Sequence, residues 1–307
     1  MSALRLGTRR SALAMAQATT MAEALAQRTG RTVELIPISS RGDESAEPLE
    51  QIGGTGVFVT ALRGAIVQGE VDAAVHSLKD LPTAAVEGIA LAAVPEREDP
   101  RDALVARDGH TLSTLPSGSV IGTGSPRRAA QLHMVAAATG TDWTVVGLRG
   151  NVDTRLRRVH DGDLDAVVIA YAGLRRLSRA AEATEVLEPH FMLPAPGQGA
   201  LALECRADDA DTFAALASLD FLTARAAVMA ERSLLAALEA GCTAPVGALA
   251  NVDARLTLTA VAASGDGNSS VRGTDTGSVD DPEGLGRRLA DRLLADGART
   301  LMEETPQ

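Results

Sequence analysis

The chain begins with short apolar runs on either side of a longer segment with helical periodicity. The run "LRLG" (4–7) predicts a strand, "SALAMAQATTMAEALAQR" (11–28) predicts a helix, and "TVELIPIS" (32–39) predicts a second strand. The apolar positions on one face of that helix are Met15, Ala18, Ala22 and Leu25. A strand, a loop, a helix and a further strand in this order are typical of an α/β domain. A Gly-rich loop running into a helix (53–68) and a buried strand (71–77) follow.

The same plan returns further along the chain. Three segments match three earlier ones in the same order: "SVIGTGSPRRAAQLHMVAA" (119–137) with "LRLGTRRSALAMAQA" (4–18), "WTVVGLRGN" (143–151) with "VELIPISSRGD" (33–43), and "GDLDAVVI" (162–169) with "GEVDAAVH" (69–76). Each match is weak alone, but the shared order predicts two similarly built α/β domains. In open α/β sheets, ligands bind at the carboxyl ends of the strands.

The pattern changes after about residue 220. A helix ended by Gly241 (221–241), segments that alternate like antiparallel strands, and a closing amphipathic helix (281–304) predict a small α+β domain. The charged segment "PEREDPRDA" (95–103) and "LPAPGQGALALEC" (193–205) are typical of domain crossings. The expected domains are a discontinuous α/β domain at 1–95 and 200–217, a second α/β domain at 101–193, and the α+β domain at 220–307, which carries Cys242.

Composition narrows the class of protein. Hydrophobic residues make up 45% and aromatic residues only 2% of the 307, so the core is built from Ala, Val and Leu, which favours buried parallel sheets covered by helices. A net charge of −11 argues against nonspecific binding to nucleic acid or anionic membranes. No signal pattern, no membrane-length apolar run and two distant cysteines lead us to expect a cytoplasmic protein with free thiols. Cys205 follows the apolar run "GALALE" in a predicted strand, where we expect its thiol to pack as a small hydrophobe.

Basic residues provide the first chemical clue. Of the 29 Lys and Arg residues, Lys79 in "HSLKDLP" (76–82) is the sole lysine. Lysine offers a compact ammonium with a tunable pKa, although one lysine surviving by chance remains an alternative. Arginines are concentrated near the carboxyl ends of the predicted strands, where ligands are expected to bind: Arg9, Arg10, Arg127, Arg128, Arg149, Arg155, Arg175 and Arg176. Guanidinium groups at helix N-termini suit anions, and the absence of a P-loop favours several carboxylates over one polyphosphate. The alternative is a set of surface arginines in an arginine-rich protein.

Other chemistries receive less support. The five histidines show no paired ligand spacing and no Cys-x-x-Cys occurs, so no metal site is expected. A histidine inside an apolar strand, His76, is more readily a satisfied core residue than a ligand. No Gly-x-Ser-x-Gly elbow supports a serine hydrolase. Asp80, beside Lys79 at a strand end, is the acid/base candidate, with a plain loop aspartate or helix cap as the alternative.

A family resemblance then covers the chain nearly end to end. The motifs, in order, are "GTRRSALA", "RGD", "GGTGVFV", "DAAVHSLKDLPT", "EREDPRDA", "GTGSPRR", "LRGNVDTRL", "AGLRRL", "LPAPGQGALALECR" and "AGCTAPVG". They resemble the porphobilinogen deaminases, or hydroxymethylbilane synthases. The resemblance implies two α/β domains like those of periplasmic binding proteins plus a third domain, and a monomer. It also implies a dipyrromethane cofactor held by a thioether to Cys242, which follows the glycine of its loop.

The implied activity is that of a transferase in porphyrin and heme biosynthesis. Four porphobilinogen molecules are joined head to tail onto the anchored pyrroles with loss of ammonia, and hydrolysis releases hydroxymethylbilane. The implied catalytic residue is Asp80, which stabilises the cationic azafulvene. The implied cofactor-binding residues are Cys242, Lys79, Ser77, Thr123, Ser125, Arg127, Arg128, Arg149 and Gly150. The implied substrate-binding residues are Arg9, Ser11, Arg149, Arg155, Arg176, Phe58 and Gln198.

The sequence departs from the family pattern at a few positions. Gln51 and Thr55 stand where the Gly-rich loop often has lysines, and Gly124 replaces a frequent serine. Loop closure or carboxylate binding is therefore expected to use other groups. Two alternatives stay open. A noncatalytic anion-binding protein of the two-domain periplasmic type would carry no adduct on Cys242. A Schiff-base enzyme using Lys79 would be trapped by borohydride.

Overall fold

A computed structural model of the chain describes residues 3–39, 56–240 and 244–303. The strands are β1 Leu4–Arg9, β2 Val33–Ile38, β3 Ala73–Ser77, β4 Ile89–Ala93, β5 Asp102–Ala106, β6 Val120–Thr123, β7 Thr144–Gly147, β8 Ala166–Ala170, β9 Glu185–Val186, β10 Leu201–Arg206, β11 Val246–Val252, β12 Leu256–Ala263 and β13 Ser270–Gly277. The α-helices are α1 Ala12–Thr29, α2 Gly56–Val67, α3 Pro126–Thr139, α4 Val152–His160, α5 Tyr171–Arg176, α6 Ala210–Ala217, α7 Leu222–Ala237, α8 Pro282–Ala295 and α9 Ala298–Glu303.

The chain divides into two compact units. The first contains Met1–Glu98 and Ala200–Arg225, and the second contains Asp99–Gly199 and Ala226–Gln307. The first unit is built on a five-stranded sheet with the order β2-β1-β3-β10-β4. In it, β1 is parallel to β2 and β3, whereas β10 is antiparallel to β3 and β4. Its core packs Leu6 of β1, Leu25 of α1 and Leu203 of β10, all at most 1% exposed.

The second unit contains a sheet of the same design. Its order is β7-β6-β8-β5-β9, with β6 parallel to β7 and β8, and β5 antiparallel to β8 and β9. Each strand therefore has a counterpart of the same direction in the first sheet, which confirms the two similarly built α/β domains. The expectation of parallel sheets was incomplete, because a returning strand, β10 or β5, runs antiparallel within each.

The remainder of the second unit forms a small α+β domain. The antiparallel sheet β11-β12-β13 packs against α7, α8 and α9 through Leu234, Leu258 and Leu289, all fully buried. Together with the two α/β sheets, this domain confirms the expected fold class. Among the described helices, none alone is long and apolar enough to cross a membrane, although the bent pair α6 and α7, at 105°, meets that test of length and composition jointly.

Two helix boundaries differ from the sequence-based expectation. Helix α7 ends at Ala237, and Glu239 takes the left-handed conformation with φ 51°, so the turn comes before Gly241, which lies outside the described residues. The expected closing helix is broken into α8 and α9, because Gly297 adopts φ 99°, which a helix cannot continue through. The helical spacing of apolar residues continues across both turns, so the sequence pattern did not predict where these helices end.

Candidate active site

In the first unit, the ends of two parallel strands bring candidate residues to one sheet edge. Arg9 ends β1 and Ser77 ends β3, and these strands are neighbours. Ser11 caps α1 by accepting a hydrogen bond from the Ala14 N–H at 3.3 Å. The Ser77 hydroxyl is held by the side-chain amide of Gln17 on α1 at 3.2 Å. Strand β3 and helix α1 are therefore linked at this edge.

Lys79 and Asp80 lie on the tight turn that follows β3. Residues Leu78–Asp80 form a 3-10 turn, whose Leu78 is fully buried and donates its N–H to the Ala200 carbonyl at 3.0 Å. The Lys79 side chain is exposed and that of Asp80 is partly exposed. Within the described part of the chain, the Asp80 carboxylate makes no hydrogen bond or ion pair. The turn is thus fixed by its buried leucine while its carboxylate stays available.

A buried charge cluster lies next to this turn. The Glu204 carboxylate accepts two hydrogen bonds from Arg63 of α2, at 2.9 and 2.7 Å, and lies 3.2 Å from His76 Nε2. Burial by itself would raise the pKa of Glu204, but Arg63 and His76 outweigh it and lower that pKa to about 2. His76 is 6% exposed, which confirms that it is a core residue. The cluster joins β3, β10 and α2.

In the second unit, the candidate residues lie at the carboxyl ends of β6, β7 and β8. Thr123 ends β6, and its hydroxyl accepts the N–H of Ser125, the residue before α3, at 3.2 Å. Arg149 and Gly150 lie between β7 and α4, where Gly150 adopts φ 101°. A Cβ at Gly150 would lie 2.8 Å from the Thr154 side chain, so glycine is required there.

Arg155 is a cation held without a carboxylate. Its Nε donates to the Gly150 carbonyl at 2.9 Å, and no acidic side chain of the described residues pairs with it. Burial, with a smaller contribution from the charge of Arg128, lowers the pKa of Arg155 to about 10. Since a partly desolvated guanidinium gains most from an incoming anion, Arg155 is suited to bind a carboxylate.

Arg127 and Arg128 are more deeply placed than the sequence indicated. Both are about 95% buried on α3, and both form ion pairs with Asp102, at 2.7 Å each. Burial would raise the pKa of Asp102, but Arg127 and then Arg128 outweigh it and hold that pKa far below its usual range. Burial lowers the pKa of Arg127. These two guanidiniums are therefore anchored from within the protein.

Two further candidates contact the segment after residue 193. The Gln198 side chain is 1% exposed, and its amide donates to the Pro100 carbonyl and to Asp102, both at 2.8 Å. The Arg176 Nη2 donates to the Gly199 carbonyl at 2.6 Å. Gln198 is thus engaged inside the unit, next to the carboxylate that anchors the two α3 arginines.

The Gly124 departure has a steric explanation. A Cβ placed on Gly124 would lie 2.4 Å from the Leu148 carbonyl oxygen and 3.8 Å from the Arg155 Nη2. Since real Cβ contacts do not approach 3.0 Å, the segment after β7 comes closer to the β6–α3 turn than a serine would allow. This close approach places Arg155 beside the backbone of the turn.

Several expected residues lie outside the part that the structure describes. These are Cys242, Gln51 and Thr55, together with the side chain of Phe58, whose backbone is in the first turn of α2. The other cysteine, Cys205, is fully buried on β10, and burial raises the pKa of its thiol to about 11. It is therefore an unreactive core thiol, as its apolar strand predicted. The described residues contain no group of three or more His, Cys, Asp or Glu arranged to hold a metal ion.

Sequence reasoning missed the residues that anchor the site. Asp102, Glu204 and Gln131 are buried polar side chains, each with several partners. Asp102 lies in the quoted motif "EREDPRDA", at the start of the apolar run of β5. An acidic residue that begins a fully buried strand was the available signal, because such a charge requires a partner.

Comparisons with known proteins place these residues in a family. The family model described as "Porphobilinogen deaminase, dipyromethane cofactor binding domain" matches residues 4–214, and "Porphobilinogen deaminase, C-terminal domain" matches residues 225–295. Porphobilinogen deaminase 1 of Streptomyces coelicolor is 56% identical, with 99% of each chain covered. Porphobilinogen deaminase 1 of Streptomyces avermitilis is 58% identical, with 98% of each covered.

Solved structures give more distant similarity. A putative methionine-binding lipoprotein from Bacillus subtilis has a TM-score of 0.43 and 14% identity, over 70% of this chain and 89% of that one. The two family models match adjoining parts of the chain, residues 4–214 and 225–295, and the curated relatives match nearly its full length. The chain belongs to the porphobilinogen deaminase family.

Proposed function

We propose that the chain joins four porphobilinogen molecules head to tail on a dipyrromethane anchored to Cys242, and then releases hydroxymethylbilane by hydrolysis. Family membership makes the chain a transferase, a hydroxymethylbilane synthase of porphyrin and heme biosynthesis that acts on porphobilinogen and uses a dipyrromethane cofactor. The number of condensations, the anchoring thiol and the roles of individual residues are the proposed part.

The observation that carries the proposal is the carboxylate-free cation Arg155. A dipyrromethane bears four carboxylates, and each added porphobilinogen brings two more. Arg155 is partly buried, its pKa is lowered to about 10, and no acidic side chain of the described residues neutralises it. Such a group fits a ligand rich in carboxylates, because a charge-assisted, bidentate hydrogen bond offsets the cost of burial. The donor set of the second unit therefore fits the cofactor.

The other proposed binding groups extend this donor set. When bound, the dipyrromethane supplies the nucleophilic pyrrole carbon at which chain growth starts. Arg149, Arg155 and Arg176 bind carboxylates in the second unit, and Arg9 and Ser11 do so in the first. Thr123 and Ser125 add hydroxyl donors at the start of α3, where unpaired backbone N–H groups also favour anions.

Asp80 is the proposed catalytic residue. Loss of ammonia from porphobilinogen leaves a cationic substrate, and a carboxylate next to its pyrrole N–H stabilises that charge. The Asp80 carboxylate has no hydrogen bond or ion pair among the described residues, so it is available for this role. The same carboxylate relays the proton released when each new carbon–carbon bond forms. Lys79, on the same turn, contributes a compact positive charge for the substrate carboxylates.

Mass spectrometry tests the proposed anchor directly. The purified protein is expected to weigh one dipyrromethane more than its sequence, with the added mass on the peptide containing Cys242. Cys242→Ala should remove both the added mass and the release of ammonia from porphobilinogen. Cys205→Ala is the matched control, and it should keep the adduct while losing about 1 kcal/mol of stability, since only a buried thiol is removed.

Two results would contradict this proposal. An unmodified but active protein would remove the need for an anchor. An adduct on the Cys205 peptide would move the anchor to β10. The noncatalytic anion-binding alternative predicts an unmodified protein that binds porphobilinogen and releases no ammonia, so the same measurements separate the two functions.

A further inference from the structure

We propose that Glu204 is a positioning residue for catalysis, which holds the end of β3 so that the following turn presents Asp80. It does so through Arg63 and His76, the two basic side chains around its carboxylate. The inference rests on the catalytic role proposed for Asp80 above and concerns the first unit alone. His76 and Glu204 lie inside two of the quoted motifs, but neither belongs to the proposed binding or catalytic groups.

The strand register places Glu204 and His76 on the same face of the sheet. Strands β3 and β10 are antiparallel, with His76 opposite Ala202 and Glu204 opposite Ala74, so the two side chains are diagonal neighbours. Ala74 packs in a cluster with Leu62 of α2, which identifies this face as the one that α2 covers. The end of β3 is therefore in reach of a side chain from that helix.

Arg63 of α2 completes a buried link to the end of β3. Its guanidinium donates from Nε and Nη2 to the two oxygens of Glu204, at 2.9 and 2.7 Å, and His76 Nε2 lies 3.2 Å from Oε2 of the same carboxylate. The side chains of Glu204 and His76 are only 4% and 3% exposed. Burial opposes ionisation, but Arg63 and His76 lower the pKa of Glu204 to about 2, so the carboxylate is charged at neutral pH.

The next residues fix the strand end from its other face. Because successive side chains of a strand alternate, Ser77 points away from α2 and towards α1, where the side-chain amide of Gln17 donates to its hydroxyl at 3.2 Å. One residue further, the Leu78 N–H donates to the Ala200 carbonyl at 3.0 Å. The Asp80 carboxylate makes no hydrogen bond or ion pair among the described residues, so these contacts set its position.

Loss of the Glu204 charge is expected to loosen this end of β3. In Glu204→Gln, the amide offers one acceptor oxygen in place of two, so the bidentate bond to Arg63 is lost. The Arg63 side chain, 13% exposed, is then left without its counter-charge and has to move. Since a displacement of about 1 Å at a reacting centre can cost about 100-fold in rate, a small shift of the turn should slow the reaction.

Steady-state kinetics of folded, adduct-carrying protein test the positioning role. In Glu204→Gln, kcat for ammonia release from porphobilinogen should fall by about 10- to 100-fold, while KM stays within about twofold, because the carboxylate-binding groups are unchanged. Asp220→Asn is the matched control. Asp220 is another internal carboxylate of the first unit, paired with Arg225 at 2.8 Å, but it accepts the Val94 N–H beyond β4. This control should lower the melting temperature and leave kcat unchanged.

A double-mutant cycle shows whether the effect passes through Asp80. If Glu204 acts by placing that carboxylate, adding Glu204→Gln to Asp80→Asn should reduce kcat by less than about twofold, whereas independent effects would multiply. His76→Leu gives a second test, because it breaks the link to β3 while the bidentate bond between Arg63 and Glu204 is kept. It should show a loss of kcat that also disappears in the Asp80→Asn background.

The outcomes separate this inference from the proposed function. Folded, fully loaded Glu204→Gln and His76→Leu with unchanged kcat would show that the turn does not depend on the cluster, and the inference would be wrong. Losses that multiply in the Asp80→Asn background would mean that Glu204 acts by another route, which overturns it equally. If Glu204→Gln does not fold, His76→Leu decides alone. If the unchanged protein releases no ammonia from porphobilinogen, the proposed function itself fails.

Discussion

Asp80 and Lys79 are neighbours on one short turn, yet only the aspartate is proposed to stabilise the cationic substrate and to relay its proton. The buried Leu78 fixes the turn, and the Asp80 carboxylate makes no internal bond within the described residues. A carboxylate left available in this way costs little when exposed to water, and its value emerges only when a cation is placed beside it. At this scale the site is defined by which polar groups the fold leaves unpaired.

Replacing Asp80 by Asn tests this reading. The substitution keeps the shape of the side chain and removes its charge, so turnover of porphobilinogen is expected to fall by about 100-fold or more. Asp80→Glu should retain part of the activity. Asp253→Asn, at an exposed position of the small domain, is the control and should turn over normally. An Asp80→Asn enzyme with full activity would assign the role to another group.

Elements, rather than single residues, decide how closely the binding loops approach each other. The β6–α3 turn and the segment after β7 meet at Gly124, where a Cβ would lie 2.4 Å from the Leu148 carbonyl oxygen. The strands β6 and β7 are parallel neighbours, so their carboxyl ends bring these two segments together. Glycine at position 124, where the family pattern often has serine, therefore allows the segment after β7 to pass close to the β6–α3 turn.

Gly124→Ser is expected to strain this contact. Since backbone rather than a flexible side chain opposes the new Cβ, the variant should lose about 1–3 kcal/mol of unfolding free energy in urea. The control is Gly147→Ser on β7, where a Cβ meets no atom within 4 Å; its loss should stay below about 0.5 kcal/mol. Equal stability of the two variants would mean that the Leu148 segment moves freely.

At the scale of the whole molecule, each unit contains a buried carboxylate held by basic side chains. Glu204 pairs with Arg63 and His76 in the first unit, and Asp102 pairs with Arg127 and Arg128 in the second. In the folded protein the pKa of both carboxyls lies below its usual value, and the pKa of Glu204 is lowered to about 2. A lowered folded pKa stabilises the protein above the unfolded pKa, and this stabilisation disappears as the pH falls towards the folded pKa.

The free energy of unfolding should therefore fall as the pH drops below the ordinary carboxyl pKa values, 4.5 for Glu204 and 3.8 for Asp102, which apply to the unfolded chain. Urea unfolding measured from about pH 6 to about pH 3 is expected to show a falling free energy over this window. Glu204→Gln should start from a lower stability, because Arg63 and His76 lose their partner, and should show a shallower decline. Glu239→Gln, exposed on the surface, should keep the slope of the unchanged protein. Identical slopes in both variants would exclude Glu204 as a source of the acid sensitivity.

Much of this molecule follows from local patterns in the chain. Helical periodicity predicted α1, and apolar runs predicted β1, β2 and β3, because burial of one face imposes a period on the sequence. The repeated order of segments predicted two similar α/β domains, and the motifs around "HSLKDLP" and "GTGSPRR" predicted the family and the sheet edges that carry its residues. The apolar surroundings of Cys205 also predicted a buried thiol.

Only the tertiary structure decided which polar groups are already paired. Arg127, Arg128 and Arg155 are equal candidates in the sequence, but Asp102, distant along the chain, pairs with the first two, and no acidic side chain of the described residues pairs with the third. The antiparallel direction of β5 and β10 was likewise hidden, since an apolar run does not record the direction of its neighbours. Local composition determines which segments are buried, whereas long-range pairing determines which charges remain for a ligand.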